Sequence, residues 1–298
     1  MEFQWEIKDI QAGMTIKEVA QSKNLSSSLI KQLKLCDQGG FFVNDEPIKI
    51  WKEVEVGDHL RISFPDEAAH PYIQPVAAPL DILYEDEHFL LVDKPATLLS
   101  NPSFNCPEES ISNRVLHYYL ENDYQHLTLH LVTRLDRNTS GVLLFAKHKW
   151  AHSLMDQILR KQEMERKYLA MTPPSQDILD SHGFLDFPIA RSEDSIIERI
   201  VADHGKASLT EYWRLESEER GDLFKIKLHT GRTHQIRVHF NHVGLPLLGD
   251  TLYGVDNTDY IDRQALHCQS LSFIHPFTLE NMQIEAGLPD DFQQLLRI

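Results

Sequence analysis

A chain of 298 residues with 42% hydrophobic content can close one large core and a smaller one. Its longest apolar runs, such as Phe89-Leu90-Leu91-Val92 and Val142-Leu143-Leu144-Phe145, are strand-length and too short for a membrane span of roughly 20 residues. The net charge of −16, from 29 basic and 45 acidic residues, excludes a partner gripped by a generally basic surface. The first 65 residues hold 8 Lys+Arg and 10 Asp+Glu and the remainder 21 and 35, so an RNA partner requires a local basic cleft within an acidic exterior.

In chain order, Met1-Glu2-Phe3-Gln4-Trp5-Glu6 lacks the basic start and apolar core of a signal peptide, and a cytoplasmic location is expected. Two short helices are predicted over residues 15–23 and 29–35, the second behind the capping-type run Ser26-Ser27-Ser28. A turn at Gly39-Gly40, the strand Phe41-Phe42-Val43, a turn at Asn44-Asp45-Glu46-Pro47 and a strand over residues 59–64, entered through Val56-Gly57-Asp58, complete a small unit over residues 1–65. Lys31 and Lys34 lie three apart and so on one face of the second helix.

Residues 66–80 contain three prolines, no basic residue and no clear period, which predicts an extended linker. A larger domain over residues 81–298 opens with Ile82-Leu83-Tyr84, a turn at Glu85-Asp86-Glu87, and a strand over 89–92 that ends at Asp93-Lys94-Pro95. The later elements lack regular βα alternation and a Gly-rich nucleotide loop, which predicts an α+β fold with a mixed, largely antiparallel sheet. Cys36, Cys106 and Cys268 are odd in number and far apart, as reduced thiols would be. The histidines, His234, His239 and His242 included, follow no ligand spacing, so no metal is expected.

The chemistry concentrates in two segments. Thr133-Arg134-Leu135-Asp136-Arg137-Asn138-Thr139-Ser140-Gly141 places an acid between two arginines in a polar loop that leads into a buried strand. About a hundred residues later comes Leu228-His229-Thr230-Gly231-Arg232-Thr233-His234-Gln235-Ile236-Arg237-Val238-His239. With Thr233 as N-cap, Ile236, Phe240 and Val243 share a buried helix face and leave His234 and Arg237 on a neighbouring one. Such a helix start can receive an anion, either a phosphate or Asp136 itself.

Together these segments resemble the RluA family of RNA pseudouridine synthases, whose signatures are an Arg-Leu-Asp-x-x-Thr-Ser-Gly loop and a Thr-Gly-Arg-Thr-His-Gln-Ile-Arg segment. The resemblance extends to Glu165-Arg166-Lys167-Tyr168-Leu169-Ala170, Gly249-Asp250-Thr251-Leu252-Tyr253-Gly254 and His275-Pro276, and covers nearly all of residues 80–280. The first 65 residues resemble an S4 RNA-binding domain, with Lys31 and Lys34 on the helix that commonly faces RNA. The resemblance implies that Asp136 is the catalytic aspartate, Tyr168 the aromatic that stacks on the target base, and Arg237 the salt-bridge partner of Asp136. It places Arg134 against RNA near the flipped nucleotide, with Arg232 and His234 also at the RNA. Two positions depart from the pattern: Thr133 stands where many members have histidine, and Asp93 replaces an asparagine often found before Lys94-Pro95, where only a local effect is expected.

Isomerising uridine breaks the C1′–N1 bond, turns the uracil and rebuilds the link at C5 with loss of the C5 proton. No electrons enter or leave, so no cofactor is implied, and Asp136 would serve either as nucleophile or as the base that starts glycal formation. The resemblance implies an RNA partner, ribosomal RNA ahead of transfer RNA, with no membrane and a monomeric enzyme. The competing readings are a noncatalytic RNA-binding or ribosome-assembly factor and a hydrolase using Asp136 with a histidine. The hydrolase reading lacks both a Gly-x-Ser-x-Gly motif and a ligand cluster.

Overall fold

The computed structural model describes residues 1–36, 39–175, 178–218, 221–254 and 261–296. Its first unit comprises β1 (Glu2–Glu6), α1 (Ile16–Ser22), α2 (Ser27–Lys34), β2 (Gly40–Val43), β3 (Glu46–Pro47) and β4 (His59–Ser63), with the strands in the antiparallel order β1-β4-β2-β3. Hydroxyl side chains fix where the helices begin. Thr15 Oγ1 accepts the Glu18 N–H while the Glu18 carboxylate accepts the Thr15 N–H, and Ser26 Oγ accepts the Leu29 N–H. The second helix therefore starts at Ser27, earlier than its apolar spacing suggests. Gly40, expected in a turn, already belongs to β2; residues 37 and 38, just before that turn, lie outside the described residues. The sequence reading overlooked β1, although Glu2-Phe3-Gln4-Trp5-Glu6 alternates as a strand should and pairs along β4.

The second unit runs through β5 (Asp81–Glu85), β6 (Phe89–Lys94), α3 (Ile111–Glu121), β7 (His130–Leu131), β8 (Ser140–Ala146), α4 (Lys149–Arg160), β9 (Glu165–Thr172), β10 (His182–Asp186), β11 (Ile189–Arg191) and β12 (Arg199–Val201). It closes with β13 (Leu209–Glu218), β14 (Gly221–Leu228), α5 (Gln235–His242), β15 (Leu266–Ile274), β16 (Asn281–Glu285) and α6 (Asp290–Leu296). The main sheet has the order β10-β13-β14-β9-β15-β8-β6-β5, with β7 on β8 and β16 on β15. Every pairing is antiparallel except β15 with β8, which makes this the mixed α+β sheet expected. β8 is buried along its whole length, which accounts for its unbroken run of apolar residues. Among the described residues, no helix is long and apolar enough to cross a membrane.

The two units meet on α4. Ala151 and Met155 of this helix enter the large core, whereas Trp150 and Leu154 enter the core of the first unit. The same seam holds Phe3, whose ring lies 4.5 Å from Trp150, and Phe277, stacked 3.7 Å from His88. The segment 66–80 carries no regular structure and is tied down along its length, with Val76 N–H donating to Asn113 O and Asn113 Nδ2 to Gln74 O.

Asp93 stands directly opposite Asp81 across β6 and β5. Burial first, and the Asp81 charge second, push its carboxyl up to about 6. The fold therefore favours the protonated form: this contribution is full below the ordinary value near 4 and is lost as pH rises through about 6. Asp93→Asn should stabilise the protein at neutral pH by about 1–2 kcal/mol, less than the full equivalent of the shift because the group keeps some solvent contact. Calorimetry should show that gain vanish below about pH 4; a gain independent of pH would contradict the assignment.

Candidate active site

The loop 132–139, between β7 and β8, is held in shape from beneath. Ser100 Oγ accepts the Leu135 N–H at 3.0 Å and donates to the Leu135 carbonyl at 2.7 Å. Fully buried Lys94 donates through Nζ to the carbonyls of Pro95, Leu98 and Arg137 at 2.9, 2.8 and 3.0 Å. Three acceptors match the three protons of an ammonium; burial pulls the group down to about 7, and the nearby Asp136 charge opposes this. Arg263 Nη1 donates to Asn138 O at 3.1 Å, and the Thr139 N–H closes a turn onto Asp136 O. Gly141 has φ +113°, and a Cβ there would lie 2.1 Å from Cys268 O, so only glycine lets the loop enter β8 beside β15.

Opposite this loop stands the start of α5. Its N-cap is His234 in the left-handed conformation, φ 58° and ψ 19°, and not Thr233 as the apolar spacing suggests. The cap is not made by a hydroxyl. Instead Gln235 staples the preceding turn, its Oε1 accepting from Thr230 Oγ1 and the Arg232 N–H while Nε2 donates to Leu209 O and Thr210 Oγ1. The left-handed step turns the His234 ring toward Tyr253, whose hydroxyl is 2.8 Å from Nδ1, and brings Nε2 to 3.9 Å from Asp136 Oδ1.

Arg237 is buried and held in two directions. Its Nε and Nη2 make a forked pair with Asp250 at 2.7 and 2.8 Å, and Nη1 reaches Asp136 Oδ2 at 3.4 Å. The guanidinium also lies over the Tyr253 ring at 5.0 Å. Asp250 is fully enclosed and accepts the N–H groups of Leu252 and Tyr253 as well. The fork onto Asp250 fixes the plane of the guanidinium, so its remaining amine is a positioned countercharge for Asp136.

The 132–139 loop and the start of α5, with Asp136, His234 and Arg237, line one cavity of about 1060 Å³. Among the described residues Asp136 is the only carboxylate in its lining; the arginines there are 134, 137, 160, 166, 232 and 237. Six arginines against one acid make this cleft locally basic within a chain whose overall charge is −16. Tyr168, in β9, opens into the cavity although only 6% exposed, and burial raises its phenol well above its ordinary value.

The structure thus brings together Asp136, Tyr168, Arg237, Arg134, Arg232 and His234 of the residues singled out in the sequence. Arg134 and Arg232 are exposed at the cavity, Arg232 anchored through Nε to Ala207 O. Lys31 and Lys34 are exposed on α2 and do not line this cavity. Thr133 is buried, its Oγ1 accepting the Leu144 N–H, so its hydroxyl serves the loop. Sequence reasoning gave no role to Asp250 or Arg166. An acid directly after the turn glycine Gly249, in the otherwise apolar Leu245-Pro246-Leu247-Leu248, was the available signal for Asp250. Arg166 lies two residues from Tyr168 and so on the same face of β9, packs under Gly231, and has a buried Nε without a partner among the described residues.

Comparison with known proteins agrees with this architecture. Residues 88–242 match the family described as RNA pseudouridylate synthase. The chain is 40% identical over 284 residues to the uncharacterized RNA pseudouridine synthase YjbO of Bacillus subtilis (strain 168), covering 95% of this chain and 99% of that protein. It is 35% identical over 232 residues to the ribosomal large subunit pseudouridine synthase D of Pseudomonas aeruginosa, covering 74% and 71%. Among solved structures, human RNA pseudouridylate synthase domain containing 1 shares the fold with a TM-score of 0.58 at 24% identity, covering 71% of this chain and 84% of the other. Fold and relatives define an RNA-modifying isomerase. The chain belongs to the RNA pseudouridylate synthase family.

Proposed function

We propose that this enzyme isomerises uridine in ribosomal RNA, with Asp136 as the carboxylate that acts on the target nucleotide. The observation that carries the proposal is a carboxylate held 3.4 Å from a fixed guanidinium, in a cavity whose other charged side chains, among the described residues, are arginines and histidines. RNA phosphates are drawn to the cleft, and the target base leaves its stack to enter it, at a cost of a few kcal/mol that looped RNA lowers. Tyr168 gives the extruded base an aromatic face, and Arg134 and Arg232 at the cavity mouth take the backbone. Asp136 then breaks the C1′–N1 bond, as nucleophile or as base; the uracil turns within the cleft, C5 bonds to C1′ as Asp136 is regenerated, and the C5 proton departs while N1 takes one up.

The ribosomal target is supported by the relatives named as large-subunit enzymes in Pseudomonas aeruginosa and Xanthomonas campestris. The first unit, with two capped helices before the β2–β4 strands and Lys31 and Lys34 exposed on α2, is read as an S4-like RNA-binding domain. Tritium release from RNA labelled at uridine C5 tests the function: release is expected from ribosomal RNA, and turnover of transfer RNA alone would move the substrate to that class.

A further inference from the structure

The first unit contains a second concavity, of about 440 Å³, that shares no lining residue with the catalytic cavity. Lys34 at the end of α2 lines it together with Phe42 of β2 and Lys49, Ile50 and Trp51 of the segment after β3. Among the described residues its lining contains no carboxylate. Trp51 is 59% exposed, and the Nζ atoms of Lys49 and Lys52 lie 5.9 and 5.0 Å from the centre of its ring. Among the described residues, Lys34, Lys49 and Lys52 form no ion pair, whereas Arg61 of the same sheet is neutralised by Glu2 and Asp45.

A lone exposed tryptophan needs no explanation, but one flanked by two lysines at the edge of a groove that, among the described residues, presents lysines and aromatic rings without a carboxylate has the composition of a nucleotide subsite. The indole offers a π face and the ammonium groups offer phosphate contacts, while the volume suits one nucleotide and is far too small for a duplex. An acidic peptide would satisfy the lysines and leave the indole unused.

We propose that this groove is a second RNA subsite, in which Trp51 stacks on one unpaired base of the substrate while Lys34, Lys49 and Lys52 contact the flanking phosphates. The proposal rests on the reading of the enzyme as RNA-modifying and adds to it a base-reading residue outside the catalytic cleft.

The test uses the full chain and a single-stranded 4-thiouridine RNA of about 20 nucleotides, with photo-adducts mapped by mass spectrometry and affinity measured by anisotropy. Adducts are expected within residues 49–52 and lost in Trp51→Ala, with affinity falling about 10- to 100-fold. Trp51→Phe should stay within about 3-fold, and an abasic ribose-phosphate oligomer should bind wild type and Trp51→Ala alike. Across a range of RNA concentrations, tritium release by Trp51→Ala should show a raised KM with kcat retained. Adducts confined to the catalytic cavity with unchanged affinity would overturn the subsite, as would an equal loss for the abasic oligomer or Trp51-dependent capture of oligoglutamate in its place. Adducts at Trp51 without any tritium release would leave the subsite standing and sink the catalytic reading alone.

Discussion

Asp136→Asn is expected to abolish turnover while RNA affinity stays within a few-fold of wild type. The substitution keeps the size of the side chain and its reach to Arg237 Nη1 at the Asp136 Oδ2 position, so the loop retained by Ser100, Lys94 and Arg263 should not move. What is lost is the one carboxylate in the cavity lining, and an amide neither attacks C1′ nor removes a proton. Binding depends on the arginines of the cleft and survives. Single-turnover tritium release alongside equilibrium binding separates the two; a parallel collapse of both would mean that Asp136 holds the cleft together and does not perform the chemistry.

The largest effect on stability should come from Arg237→Met. A surface arginine would tolerate the change, but Arg237 is not one: Asp250 is fully buried and its strongest partner is the Arg237 fork, so removing the arginine strands a charge in the core. Breaking a buried pair in this way costs about 3–5 kcal/mol. Asp250→Asn added to Arg237→Met removes the stranded charge and keeps an oxygen for the amides of Leu252 and Tyr253, and should restore most of that loss. Turnover should stay low in the double variant, because Asp136 still lacks its countercharge. Thermal melts combined with kcat measurement would decide it; recovery of both together would make the fork purely structural.

Asp136, Tyr168 and Arg237 were legible through the family signatures that their segments resemble, and the pairing of Asp136 with Arg237 came with that resemblance. The detailed geometry was not legible, since it depends on the parallel pairing of β15 with β8 and on a left-handed residue at His234, neither of which leaves a local signature. Periodicity locates the buried face of α5 and is silent on how its first turn is entered, which is why Thr233 looked like the cap. Asp250 escaped for a related reason: a buried acid declares its function only through its partner, and that partner is 13 residues away on another element. The acidic composition misled in the opposite sense, because a sum over 298 residues cannot show that one cleft is lined by arginine.

The division of α4 between two cores bears on how the chain folds. Trp150 and Leu154 are as much a part of the first unit as its own strands, so a protein cut after residue 65 would present two large side chains to water. The helix acts as a shared wall, and the units should melt in one cooperative transition. A fixed wall also sets a fixed span from the Trp51 groove to Asp136. On the proposed reading of that groove, an RNA reaches both only if its own fold supplies that separation, which would make the molecule a gauge of RNA shape as well as a catalyst.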